Sequence, residues 1–130
     1  MNAAPRILLV DDDREILEMT SLLLAGAGYG VEPAPSGEEA LFRLHQQSFD
    51  LVLLDINMPR MDGWEVLRLL KEDEATRDVP VIMFSVNFEL REKLHALQQG
   101  AVDYITKPFD TRTLVERIAG VLPAAAKGSE

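Results

Sequence analysis

Two short apolar runs, each ending in carboxylates, constrain this chain more than any other feature. Leu51-Val-Leu-Leu54 reads as a strand buried on both faces, the pattern of a parallel sheet. It runs directly into Asp55, then Ile-Asn-Met-Pro-Arg-Met, then Asp62-Gly63. Asp62 with Glu65 three residues on has the spacing of a capping box, so a helix follows a short, rigid turn. Asp55 is thereby placed at the carboxyl end of a core strand, where ligands bind in open α/β sheets. A second run, Ile7-Leu-Leu-Val10, ends in Asp11-Asp12-Asp13. Three carboxylates at one strand mouth repel one another, and more so beside Asp55. Such a cluster costs free energy unless a cation occupies it. A hard divalent ion with oxygen ligands, Mg2+ above all, suits it.

The remaining chain alternates strand and helix patterns. After the acidic run, Ile16, Thr20 and Leu23, with Leu17 and Leu24, give a helical apolar face, closed by Gly26, Gly28 and Gly30. Val31-Glu-Pro-Ala34 is short and contains a proline, which points to a sheet edge. Ser36-Gly-Glu-Glu39 opens a helix with Ala40, Leu41 and Leu44 inward. The helix after Asp62 buries Val66, Leu67 and Leu70. Lys71 to Asp78 is a charge run, read as a solvated loop in preference to a docking site. Val81-Ile-Met-Phe84 is a fourth strand. The helix after it has the cleanest period, with Leu90, Leu94, Leu97 and Ala101 spaced by four, three and four. Val102 to Thr106 is a fifth strand, and Asp110 caps a last helix facing inward through Leu114, Ile118 and Leu122. Five strands alternating with five helices make a doubly wound α/β sandwich.

At 130 residues the chain suits one core, assigned to residues 1–122, with 123–130 as a flexible tail or the start of a linker to an output domain. A formal charge of −9 argues against nucleic acid as a direct partner of this domain. With no cysteine, a reducing compartment fits. Met1 to Pro5 lacks a secretory pattern, and Leu22-Leu-Leu-Ala-Gly-Ala-Gly28 is too short to cross a bilayer. The expectation is a cytoplasmic protein without membrane contact.

Four pieces in this order resemble the response-regulator receiver domains of two-component signalling, the chemotaxis-protein type, over roughly Arg6 to Leu122. They are the acidic run after strand one, Asp55 within Asp-Ile-Asn-Met-Pro-Arg-Met-Asp-Gly63, Ser85 after strand four, and Lys107-Pro108-Phe109 after strand five. One Asp-Gly or Lys-Pro alone carries little; each piece at a strand end makes the set specific. The resemblance implies a parallel sheet ordered 2-1-3-4-5, whose reversal between strands one and three brings Asp11, Asp12 and Asp55 into one crevice.

It further implies that Asp55 is the nucleophile, taking phosphate from the phosphohistidine of a sensor histidine kinase or phosphotransfer protein, or from a small donor such as acetyl phosphate. A carboxylate can hold a phosphoryl group as a mixed anhydride if a metal neutralises the charge. On its own, a turn aspartate is the commoner reading of such a residue; the accompanying acids, hydroxyl and lysine displace it. By resemblance Asp12 binds Mg2+ directly, Asp11 acts through water and the Asn57 carbonyl adds a ligand. If the first strand ends one residue later, Asp12 and Asp13 are the pair instead; otherwise Asp13 serves the first helical turn. Ser85 and Lys107 supply the donors that phosphoryl transfer needs at its equatorial oxygens. The family's Lys-Pro bond is cis. Ser85 and Tyr104 form the switch: the aromatic turns inward as the hydroxyl moves toward phosphate, reshaping the face of helix four, strand five and helix five for a downstream protein or fused output domain. The bland alternative for Tyr104 is a half-exposed strand tyrosine.

Val86 departs from the family, which carries a very small residue after the hydroxyl; its branched side chain is expected to crowd the acceptor. Asn57 and Asn87 flank the site and bear on acyl-phosphate lifetime. His45 and His95 lie on helices away from the acids and read as surface residues, and Trp64 as packing. Two other classes compete. A Mg2+-dependent aspartyl-nucleophile phosphatase of the haloacid dehalogenase type wants an acid two residues past the nucleophile, where this chain has Asn57. A flavodoxin-like FMN binder wants Ser, Thr and Gly after strand one, where this chain is acidic.

Overall fold

A computed structural model describes residues 4–122. Five parallel strands, β1 (Arg6–Val10), β2 (Gly30–Ala34), β3 (Leu51–Asp55), β4 (Val81–Ser85) and β5 (Asp103–Thr106), form one sheet in the order β2-β1-β3-β4-β5. Five helices alternate with them: α1 (Arg14–Gly26), α2 (Gly37–Gln46), α3 (Gly63–Glu72), α4 (Leu90–Gln98) and α5 (Thr111–Ala119). β2 lies at the edge, where Pro33 costs the sheet least. Among the described residues no helix is long and apolar enough to cross a membrane.

Alternation along each strand sorts the core into two layers. Leu8, Val10, Val52, Leu54, Val81 and Met83 face α2 and α3, against Ala40, Leu44, Val66, Leu67 and Leu70. Ile7, Leu9, Leu51, Leu53, Ile82 and Phe84 face α1 and α5, against Leu17, Leu24, Leu114 and Ile118. β1, β3 and β4 are thus apolar on both faces, as their unbroken runs require.

Helix starts follow the sequence closely. Asp13, Ser36, Asp62 and Asp110 each accept a backbone N–H in the first turn of the helix they open. Asp62 with Glu65 and Ser36 with Glu39 both have capping-box spacing, and each closes on one side only. Asp62 takes the Glu65 N–H at 3.0 Å, whereas the Glu65 carboxylate turns to Arg68 at 2.7 Å. Ser36 takes the Glu39 N–H at 3.1 Å while the Glu39 carboxylate pairs with Arg43.

Three expectations need correction. On α1, Leu17, Thr20 and Leu24 are buried while Leu23 is exposed, so the apolar stripe is one residue off in its last turn. The clean period of α4 is not its buried face: Leu90, Leu94 and Leu97 are 67%, 49% and 39% exposed, and Ala96 is the residue the helix buries. Only Ala101, beyond the helix, is enclosed. The charge run after α3 is not wholly solvated either. Thr76 is buried and donates its hydroxyl to the Leu70 carbonyl at 2.8 Å, and Lys71 Nζ caps the Arg77 carbonyl at 3.0 Å. Desolvation lowers the Lys71 pKa from its ordinary value.

Candidate functional site

Strand register assembles the site. Val10 pairs with Leu54, so the next residues, Asp11 and Asp55, come side by side. Asp55 pairs with Phe84, and Ser85 with Thr106, which sets Ser85 and Lys107 on the other flank. All four residues leave the carboxyl ends of adjacent strands, with Asp11 and Asp55 at the place where the sheet order reverses.

Strand alternation continues past the strand ends. Asp11 follows Leu9, Asp55 follows Leu53, and Lys107 follows Ile105, so all three point to the α1 and α5 side. Asp11 and Asp55 are buried at 0% and 2% exposure. Lys107 Nζ spans them, 3.0 Å from Asp11 Oδ2 and 3.3 Å from Asp55 Oδ1, and lies 5.0 Å from the centre of the Phe84 ring. The Lys107-Pro108 bond is cis.

Asp12 is exposed at the mouth, and one carboxylate oxygen from each of Asp11, Asp12 and Asp55 lies within 4.8 Å of the others. Asp13 is taken up as the α1 cap, accepting the N–H groups of Glu15 and Ile16. Because β1 ends at Val10, Asp11 and Asp12, and not Asp13, are the acids that group with Asp55. Three carboxylates against one ammonium leave two negative charges in excess when all are ionised, which matches a divalent cation and its preference for oxygen donors. Burial, then repulsion from Asp11, pushes the Asp55 pKa up to about 6, against the opposing pull of Lys107. An acid held so far above the ordinary carboxylate range marks a site that favours added positive charge.

Ser85 lies on the other flank and is also buried. Its hydroxyl donates to Asn57 Oδ1 at 3.2 Å and accepts the Asn87 N–H at 3.1 Å. Asn57 is exposed, and its N–H approaches Asp55 Oδ1 at 3.4 Å. Tyr104 is turned inward and buried, its hydroxyl donating to the Asn87 carbonyl at 2.5 Å, so it is not the half-exposed tyrosine of the bland reading. Val86 is 67% exposed and lines a groove with Ile16, Thr20, Lys107 and Pro108.

The residues set aside lie elsewhere. His45 on α2 is exposed and bonded to Asp73 and the Leu41 carbonyl, which raise its pKa. His95 on α4 lies against the half-buried Trp64 ring of α3, with 4.6 Å between centroids. The residue that sequence reading undervalued is Asn87, which touches Ser85, Tyr104 and α4 at once. A polar residue two positions past a strand-end serine was its only signal.

Known proteins resemble this chain. The response regulator receiver domain family matches residues 7–119. The chain is 39% identical over 97% of its length to the DNA-binding dual master transcriptional regulator RpaA of Synechocystis, and 42% identical over 94% to the phosphate regulon transcriptional regulatory protein PhoB of Pseudomonas aeruginosa. It spans 55% and 53% of those two proteins, about half the length of the curated relatives it matches. Among solved structures, the chemotaxis protein CheY4 of Vibrio cholerae superposes with a TM-score of 0.87 at 33% identity, covering 92% of this chain and 100% of that one. With the sheet order, the strand-end acids and the family match in agreement, this chain belongs to the response regulator receiver domains, the phosphorylation-dependent modules of two-component signalling.

Proposed function

We propose that Asp55 is the phosphoryl acceptor of a signalling switch, loaded from the phosphohistidine of a sensor histidine kinase or phosphotransfer protein, or from a small donor such as acetyl phosphate. The convergence of Asp11, Asp55, Ser85 and Lys107 at the ends of four adjacent strands carries this reading. Residues 1–122 act as the receiver unit, and residues 123–130 lie outside the described residues except as sequence.

The donor set fits Mg2+, with Asp11, Asp12, Asp55 and the Asn57 backbone carbonyl as its holders. When bound, the ion supplies charge neutralisation at the phosphoryl oxygens. Asp55 forms an O–P bond as the donor's P–N bond breaks, and the released imidazole takes up a proton. Its carboxylate must be ionised to attack, and a pKa of about 6 leaves it largely so at neutral pH. Lys107 and the Ser85 hydroxyl then serve as donors to the transferred oxygens, from opposite flanks of Asp55.

The output follows from Ser85. Its hydroxyl has one proton, given to Asn57 in this state, and turning it to a phosphoryl oxygen ends that bond. Tyr104 and the face of α4, β5 and α5 respond, controlling a downstream protein or output domain. The domain itself makes no direct contact with nucleic acid, in keeping with its acidic charge. Release of phosphate by the domain's own hydrolysis is slow, and the protein acts in the cytoplasm. An aspartyl-nucleophile phosphatase gains nothing from the site, since Asn57 stands where that chemistry wants an acid. Mass spectrometry after incubation with acetyl phosphate and Mg2+ tests the proposal. One added phosphoryl group in the parent, absent in Asp55→Asn, is the expected result; equal labelling of both overturns it.

A further inference from the structure

α4 differs from the other helices in how it is held. Asp13, Ser36, Asp62 and Asp110 cap their helices from the residue immediately before the first turn, but Glu89 in that position makes no side-chain cap. α4 buries only Ala96 and turns its leucine stripe outward. Its start is held instead by Asn87, three residues before Leu90. Asn87 Oδ1 accepts the Glu89 N–H at 2.9 Å, and Asn87 Nδ2 donates to Glu92 Oε1 at 3.1 Å.

The backbone of the same residue is bound to the switch. Its N–H donates to Ser85 Oγ at 3.1 Å, and its carbonyl accepts the Tyr104 hydroxyl at 2.5 Å. One asparagine therefore commits its main chain to Ser85 and Tyr104 and its side chain to the first turn of α4. A glutamine here would be too long for the turn that Oδ1 closes, and a lysine has no acceptor for the Glu89 N–H, whereas an asparagine oxygen reaches a backbone N–H two residues on without displacing the chain.

We propose that Asn87 is the positioning residue that couples the Ser85 hydroxyl to α4. The proposal rests on the reading of Asp55 as phosphoryl acceptor. When Ser85 Oγ moves to a phosphoryl oxygen, the Asn87 N–H loses its acceptor or follows it. If it follows, the Glu89 and Glu92 bonds shift with the residue, since the side chain is anchored to the same Cα; if it loses its acceptor, the segment that presents those bonds loses its tie to Ser85. The start of α4 then moves or loosens with phosphoryl occupancy, while the Asn87 carbonyl keeps its hold on the inward Tyr104. Without the Asn87 amide, α4 has no polar tie to Ser85 among the described residues.

Amide hydrogen exchange over residues 89–94 tests this on the full chain, with and without acetyl phosphate and Mg2+, in the parent, Asn87→Ala and Asn87→Asp. The parent is expected to change its exchange there on phosphorylation. Asn87→Ala should still load one phosphoryl group on Asp55. Its α4 amides should exchange about fivefold faster before phosphorylation, as loss of a helix cap predicts, and show no further change after it. A cap with a merely structural role would raise exchange equally in both states and leave the phosphorylation-dependent difference intact; that result overturns the proposal. Asn87→Asp keeps the acceptor for the Glu89 N–H and sets a carboxylate against Glu92, so it should fold and lose part of the difference. If Asn87→Ala does not fold, an undiminished difference in Asn87→Asp overturns the proposal instead. A parent that takes up phosphoryl without any α4 change defeats the coupling alone. A parent that takes up none defeats the Asp55 reading and the coupling with it.

Discussion

Lys107 Nζ stands 3.0 Å from Asp11 Oδ2, joining residues 96 positions apart, with Asp55 on its other side at 3.3 Å. The ammonium is mostly buried with two enclosed carboxylates, so its removal strands both. Lys107→Met should therefore lower stability at pH 7 by about 3 kcal/mol in the absence of divalent ions, the scale for breaking a buried ion pair on one side. Because Lys107 lowers an Asp55 pKa that still stands at about 6, the Asp55 share of the deficit should close as pH falls through about 6. Urea unfolding above and below that pH measures it. A deficit that is independent of pH would mean that lost packing on Phe84 matters more than charge.

Asp55 itself gives the opposite sign. Its folded pKa of about 6 lies above the ordinary 3.8, so the native state pays a penalty for ionising it. That penalty is absent below pH 3.8, grows as pH rises to about 6 and is complete above it. Asp55→Asn removes the charge at nearly constant shape. The variant should thus exceed the parent by about 3 kcal/mol at pH 7, from roughly 1.4 kcal/mol per pK unit, and match it near pH 3. Paired chemical denaturation curves across this range give the difference; a variant less stable at pH 7 contradicts the assignment of burial and Asp11 as the causes.

The contacts behind these two predictions are far more legible in the sequence than those around α4. The strand-end acids, Ser85 and Lys107 could be read from the chain because buried parallel strands advertise themselves as unbroken apolar runs, and their ends locate the crevice. The α4 stripe could not be interpreted the same way. Period reveals that Leu90, Leu94 and Leu97 share a face, but not whether this chain covers it, and a close approach to the sheet favours small Ala96 over leucine. Asn87 was obscure for a different reason: its four bonds reach residues 2 to 17 positions away, and only the one to the Glu89 N–H follows a spacing rule.

Mg2+ should stabilise the parent, and below about pH 6 its binding should release a proton, because the ion requires the ionised form of Asp55. At a concentration ten times its dissociation constant the gain is about 1.4 kcal/mol. Asp12→Asn, at the exposed mouth, should fold as stably as the parent without the ion and gain less with it. Thermal unfolding against Mg2+ concentration separates the two; an unchanged response in Asp12→Asn removes that residue from the set.

Val86 offers a kinetic test that stability does not confound. Its side chain is largely solvent-exposed, so Val86→Ala should alter folding stability by no more than about 0.5 kcal/mol. If the branched side chain crowds the approach past Lys107, the variant should take up acetyl phosphate faster and lose its phosphoryl group faster. Equal rates for both steps remove the idea. Val86 shares its groove with Lys107 and Pro108, so that groove is the path affected.

Gly63 closes the motif for a steric reason. It is the first residue of α3 and its φ is not in the left-handed region, so conformational freedom does not explain it. A Cβ there would lie 2.5 Å from the Asp55 carbonyl oxygen and 2.7 Å from Ile56 Cα, both backbone atoms that cannot turn aside. The Gly63 N–H also donates to the Ile56 carbonyl at 2.8 Å, which holds the helix start against the end of β3. Gly63→Ala should therefore cost about 1–3 kcal/mol, the range for overpacking, and should displace Asp55 because the strained atoms are its own main chain. Gly37→Ala is the control: its Cβ would meet Val66 Cγ2 at 2.8 Å and Met61 side-chain atoms at 3.0 Å, and the flexible Met61 can yield. The expected pattern is a loss of both stability and phosphoryl uptake in Gly63→Ala, against a smaller loss of stability with uptake retained in Gly37→Ala. Matched uptake in the two variants would show that Asp55 tolerates movement of its backbone, and that the close approach of α3 serves packing alone.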